Sequence, residues 1–138
     1  MAAADIAGRT TALDVAGIQA ALAAAHLDGW LLYDFRGINP IAADVTGVAR
    51  QQGHLATRRW FYLIPAVGEP RALVHAIEPH SLVHLPGSTT RYARRLELET
   101  GLARLLGGMR RVAMEYSPGA AIPYVSRVDA GTLDLVRQ

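Results

Sequence analysis

The sequence contains no cysteine at any of its 138 positions. Disulfide frameworks, thiolate metal sites and cysteine nucleophiles are therefore excluded. The N-terminal segment also lacks the charged start and long apolar stretch of a signal peptide. No apolar run approaches the roughly 18 to 20 residues that span a bilayer. We therefore expect a protein of the reducing cytoplasm, with no membrane partner.

Lysine is absent as well, so all 14 basic residues are arginines. Three doublets stand out, at Arg58–Arg59, Arg94–Arg95 and Arg110–Arg111. The net charge is only +2, and glutamates are interspersed with the doublets, so no stretch forms the dense basic arm of a nucleic-acid-binding protein. We expect no nucleic acid partner and ordinary solvated faces for the doublets.

What the sequence does have is apolar surface. Hydrophobic residues make up 51% of the chain and charged residues 19%, which is far from the composition of disordered proteins. A chain of this length fits one hydrophobic core. The sequence therefore predicts a single folded domain over residues 1–138.

Apolar residues spaced three and four apart, with capping residues before them and glycines after them, predict helices. The predicted helices run from Asp14, with Thr11 as part of a capping-box-like start, to near Gly29; from Asn39 to Gly47; through the leucines before Gly107; and from Asp129 to Gln138. The last helix stops soon after its cap. This predicts that the natural protein continues past Gln138.

Short apolar runs bounded by turn residues predict strands. The predicted strands are Trp30–Tyr33, Trp60–Ile64, Ala72–His75 and Arg111–Tyr116, and the second and third form a hairpin around Pro65–Pro70. Val48–Thr57 is a predicted loop, and Glu78–Thr90 gives no pattern beyond one helical turn and a loop. Because helices alternate with strands, the predicted fold class is α/β, a mixed sheet flanked by helices.

No complete set of catalytic or metal-binding residues is visible. His80 and His84 have the spacing of a helical pair, but nearby prolines leave little room for a helix. Asp34 and Glu115, each near the end of a predicted strand, suggest a metal-dependent nuclease of ribonuclease H type, or else a turn cap and an ordinary salt bridge. The sequence has neither a nucleophile elbow nor a glycine-rich phosphate loop. We therefore assign no catalytic residue and no metal ligand to this chain.

The most unusual segment is a polar stretch that leads into an aromatic run. His54, Arg58 and Arg59 come directly before Trp60, the first residue of a predicted strand. Arginines beside aromatic residues suit a carboxylate or a partner surface. The same pattern also fits a strand that begins at the surface and runs into the core, so both interpretations stay open.

Several segments resemble the N-terminal domain of the creatinase, prolidase and Xaa-Pro aminopeptidase family. They are Leu27–Leu32, Arg58–Ile64 with the turn Gly68–Pro70, Val112–Ser117 and Ile122–Gly131. The resemblance covers nearly the whole chain, although its motifs are structural. It implies a mixed sheet flanked by helices, reminiscent of ribonuclease H.

In that family a separate catalytic domain of pita-bread fold follows the N-terminal domain. There two divalent metals, commonly manganese, cobalt or zinc, are held by two Asp, one His and two Glu, and a bridging hydroxide attacks the bond before proline. The resemblance therefore implies a fragment without cofactor and without activity of its own. It places the chemistry in a catalytic domain absent from this chain.

The resemblance also implies partners and candidate residues. In such enzymes the N-terminal domain contacts its own catalytic domain, builds the homo-oligomer and leans over a neighbouring subunit's active site, where a proline-containing peptide binds. Arg58, Arg59 and Trp60 match the positions that reach substrate, and His54 is a looser candidate. A stand-alone interaction module and a small nuclease are the alternatives.

Overall fold

The computed structural model describes residues 13–50 and 56–138. The helices are α1 (Val15–Ala24), α2 (Pro40–Thr46), α3 (Arg95–Leu105) and α4 (Ala130–Arg137). The strands are β1 (Gly29–Asp34), β2 (Trp60–Pro65), β3 (Arg71–His75), β4 (Ser88–Tyr92) and β5 (Val112–Ala113). Short 3₁₀ turns span Val48–Arg50, Pro118–Ala120 and Pro123–Val125. None of the described helices is long and apolar enough to cross a membrane.

The five strands form one mixed sheet in the order β4-β3-β2-β1-β5. β2 pairs antiparallel with both β1 and β3, which confirms the predicted hairpin. The two outer strands, β4 and β5, pair in parallel with β3 and β1. The predicted class, an α/β fold with a mixed sheet flanked by helices, is confirmed.

Alternation along the strands divides the core into two layers. On one face, residues such as Trp60 and Tyr62 of β2 pack with Leu22 of α1. On the other face, Phe61 of β2 packs with Leu98 of α3. All six residues of β2 are buried, so this strand lies at the centre of the molecule.

The helix starts predicted at Asp14, Asn39 and Asp129 are confirmed by capping bonds, whereas Thr11 lies outside the described residues. The carboxylates of Asp14 and Asp129 accept hydrogen bonds from backbone N–H groups three residues further on, each at 2.9 Å. The Asn39 side chain caps α2 in the same way, and Pro40 occupies its first turn. Because these side chains satisfy N–H groups that have no partner within the helix, they fix where the chain turns into each helix.

Strand β4 corrects the sequence analysis, which gave Glu78–Thr90 only one helical turn and a loop. Its residues Ser88 to Arg91 are exposed, and only Tyr92 is buried. A strand that buries one residue shows no apolar alternation, so the pattern that predicts strands is missing here. β4 is held instead by its parallel pairing with β3.

The strand predicted over Arg111–Tyr116 is also shorter than expected, because only Val112–Ala113 pair with β1. Beyond them the chain leaves the sheet edge and places Glu115 in a buried polar network. Its two carboxylate oxygens accept hydrogen bonds from Trp30 Nε1 and Asn39 Nδ2, both at 2.7 Å. The network joins the end of the sheet to the start of α2.

We predict that Gly87→Ala destabilises the fold more than Gly68→Ala. Both glycines have φ near +100°, where a side chain is strained, but only at Gly87 would a Cβ overlap the carbonyl oxygen of Pro70. Gly68 faces open space, so it controls for the φ strain alone. The overlap should cost a further ~1–3 kcal/mol in the free energy of unfolding, measured in urea. Equal losses of unfolding free energy in the two variants would contradict the prediction, because they would show that β4 can shift to relieve the overlap.

We also predict that Glu115 makes the fold less stable as the pH rises. Burial raises the pKa of this carboxyl above its ordinary value, although the hydrogen bonds from Trp30 and Asn39 oppose the rise. The folded state therefore binds the proton more tightly than the unfolded state, so stability is lost between the unfolded and folded pKa values.

The measurement is the free energy of unfolding from pH 4 to 8 for the wild type, for Glu115→Gln and for the exposed control Glu69→Gln. We expect the wild type to lose stability relative to Glu115→Gln as the pH rises through that window. A pH-independent difference in stability between the wild type and Glu115→Gln would contradict the assignment to Glu115. So would an equal loss of wild-type stability relative to Glu69→Gln.

Candidate anion-binding site

An open cavity of about 660 Å³ lies at one end of the sheet, on the face covered by α3 and α4. It is bordered by the ends of β1, β3 and β4, by the start of β2 and by the start of α3. Four arginines line it: Arg58, Arg59, Arg94 and Arg95. The structure thus brings two of the three arginine doublets together at one site.

The backbone before β2 is held in place by one acceptor group and one donor group, which belong to other parts of the chain. The Glu78 carboxylate accepts hydrogen bonds from the backbone N–H groups of Thr57 and Arg58, each at 2.8 Å. The Tyr92 hydroxyl donates to the backbone carbonyl of Arg59 at 2.6 Å. Since these bonds use the backbone, they position the arginine side chains without engaging either guanidinium.

Two buried phenols form the floor of the cavity. Burial raises the pKa of Tyr33 to about 12, and its hydroxyl donates to Asp129 at 2.9 Å. Burial also raises the pKa of Tyr92. In both cases the positive charge of Arg59 opposes the rise. Both tyrosines are therefore protonated at neutral pH.

The four arginines differ in how far their charge is compensated. Arg94 and Arg95 form ion pairs with Glu97 (3.6 Å) and Glu99 (2.9 Å) on the exposed surface of α3. Such pairs contribute little, about 0–1 kcal/mol. Within the described ranges, neither Arg58 nor Arg59 forms an ion pair with an acid, and the Arg58 guanidinium donates a hydrogen bond to the Thr57 hydroxyl at 3.3 Å.

The structure does not bring every candidate residue to this cavity. Arg58 is exposed and Arg59 half-buried at its wall, but Trp60 is 1% exposed and packs in the layer on the opposite face of the sheet. Phe35 and Ile38 supply the apolar part of the wall instead. His54 lies outside the described residues.

Sequence reasoning missed Arg94 and Arg95. Their doublet was interpreted as an ordinary solvated face, because no local pattern places the start of α3 beside the start of β2. One signal was available. Positive charges in the first turn of a helix oppose its dipole, so a doublet there is unfavourable for the helix itself.

The candidate metal ligands do not assemble into a site. Among residues 13–50 and 56–138, no three His, Asp or Glu side chains group closely enough to hold an ion. The four oxygens of Asp34 and Glu115 accept hydrogen bonds from N–H groups, and both residues are buried. His84 bonds to the Thr46 carbonyl oxygen through Nε2 (2.8 Å), while His80 is exposed. This geometry gives the nuclease alternative no support.

Comparison with known proteins identifies the fold. No protein-family model and no curated protein matches the sequence. Among solved structures, the chain is similar to the prolidase from Pyrococcus horikoshii OT3, with a TM-score of 0.56 and 14% sequence identity. The similarity covers 89% of this chain and 28% of the prolidase, so the chain spans just over a quarter of that protein's length. The five-stranded mixed sheet with its helices thus has the fold of a prolidase N-terminal domain.

Proposed function

We propose that this chain is the non-catalytic N-terminal domain of a metallopeptidase of the prolidase and Xaa-Pro aminopeptidase type. The observation that carries the proposal is the structural match, which covers nearly all of this chain but only 28% of the prolidase. The remaining part of such a protein is where a catalytic domain would lie. On this proposal, the manganese, cobalt or zinc of that chemistry belongs to the catalytic domain.

The domain's own contribution, on this proposal, is to assemble the homo-oligomer and to shape access to the active site of a neighbouring subunit. Arg58 and Arg59 support this role, since they line a cavity at the end of the sheet and no described acid pairs with them. A guanidinium offers a fork of donors that matches a carboxylate, such as the C-terminus of a proline-containing peptide. His54 is kept as a candidate, and Trp60 supports the segment from the core.

We predict that the chain of residues 1–138 alone neither hydrolyses Xaa-Pro dipeptides nor retains stoichiometric manganese or zinc, whereas the complete product of its gene hydrolyses them. The reason is that two-metal hydrolysis needs a cluster of Asp, His and Glu ligands. Elemental analysis and a proline-release assay on both proteins, purified without a tag, are the measurements. Turnover by the short chain, or none by the complete product with added metal, would overturn the proposal.

In the complete gene product, we expect Arg58→Ala to raise KM for an Xaa-Pro dipeptide by roughly tenfold or more, because it removes a hydrogen bond between charged groups. Folding should change little, since Arg58 is exposed and surface changes usually cost within about 0.5 kcal/mol. The control is Arg91→Ala, an exposed arginine on β4 that lies outside the cavity wall.

The decisive comparison is between these two variants, which carry the same change in net charge. Unchanged KM for Arg58→Ala, or an equal rise for Arg91→Ala, would show that Arg58 has no specific role at substrate.

A further inference from the structure

The described residues that line the basic cavity carry an excess of positive charge, since four arginines are among them. Asp129 is the only carboxylate among those described residues, and Glu97 and Glu99, the partners of Arg94 and Arg95, are not part of the wall. Asp129 is already engaged, because it accepts hydrogen bonds from the Tyr33 hydroxyl, from the Thr132 hydroxyl and from the Thr132 N–H. Guanidiniums gathered around one space repel each other, and an anion bound between them would relieve that repulsion.

The position of the doublet Arg94–Arg95 also favours a bound anion. Arg94 precedes α3 and Arg95 begins it, so both place positive charge at the positive end of the helix dipole. Glutamate or aspartate would serve the helix better at these positions. Residues that break a local rule in this way often belong to a functional site. Their exposed pairs with Glu97 and Glu99 are weak enough for a ligand to replace.

Size and lining indicate the class of ligand. A volume of about 660 Å³ lies within the usual range for small-molecule sites, ~300–1,000 Å³. Phe35 and Ile38 add apolar surface to one part of the wall, although both stay partly exposed. Each guanidinium binds two oxygens of a phosphate or carboxylate group side by side. A single monovalent group would leave most of these donors unused.

We infer that this cavity binds a compact multivalent oxyanion, a phosphate-type or polycarboxylate ligand, through Arg58, Arg59 and Arg95. This inference shares Arg58 and Arg59 with the proposed function but goes beyond it, because it assigns another class of ligand and is argued from described residues of this chain alone, without a catalytic domain or a second subunit. Arg59 is the most buried of the three, and its backbone carbonyl accepts a hydrogen bond from the Tyr92 hydroxyl.

The test is titration of residues 1–138 with pyrophosphate, citrate and acetate at constant ionic strength. Affinity is measured by calorimetry, and the bound region is mapped by two-dimensional NMR. We expect pyrophosphate, citrate or both to bind saturably, with shifts at Thr57, Tyr92 and Ala93, and acetate to bind far more weakly. Binding of pyrophosphate alone assigns a phosphate-type ligand, and binding of both assigns the shared oxyanion chemistry.

Variants decide whether the cavity is the site. Arg59→Ala should weaken binding by about tenfold or more, since it removes a charge-assisted bidentate contact. The hydrogen bond from Tyr92 goes to the Arg59 backbone carbonyl and survives the change. Arg95→Ala, at an exposed position, tests the opposite wall with less effect on folding. Arg91→Ala, with the same loss of charge outside the cavity, should change affinity by less than about twofold.

No saturable binding of pyrophosphate or citrate below about 10 mM would overturn the inference. So would equal losses in Arg59→Ala, Arg95→Ala and Arg91→Ala, because they would show general attraction to a basic protein. These experiments measure anion binding and not peptidase activity, so a negative result would overturn this inference without deciding the proposed function.

Discussion

The complete burial of strand β2 is the constraint on which the rest of this structure depends. Both of its neighbours pair with it in antiparallel register, and its side chains alternate between the two core layers. The alternation sends Trp60 to the face of α1 and Phe61 to the face of α3. For the same reason Arg59, one residue earlier, is directed to the α3 face, where the basic cavity lies.

Much of the fold could be predicted from the sequence, because local signals set it. Asp14, Asn39 and Asp129 mark helix starts through side-chain bonds to nearby N–H groups, and such bonds depend on neighbouring residues alone. β4 could not be predicted in this way, since its exposed residues carry no apolar pattern and its pairing with β3 forms across an intervening stretch of turns.

The candidate site was only half visible for a similar reason. The sequence placed Arg58 and Arg59 before an aromatic strand, but it could not show that the start of α3 brings Arg94 and Arg95 to the same cavity. It also suggested that Trp60 accompanies the arginines, whereas strand alternation carries the indole to the other layer. Contacts between distant elements, rather than local propensity, define this site.

The fold and the position of the cavity together lead to one structural expectation for the complete protein. If the domain serves a prolidase-type enzyme, the sheet end that carries Arg58 and Arg59 faces the active site of a neighbouring subunit. The most direct measurement is a crystal structure of the complete gene product with a bound proline dipeptide. We expect a guanidinium nitrogen of Arg58 or Arg59 about 2.7–2.9 Å from the peptide carboxylate, across the subunit interface. Both arginines facing bulk solvent, with the peptide held by other residues, would contradict this account.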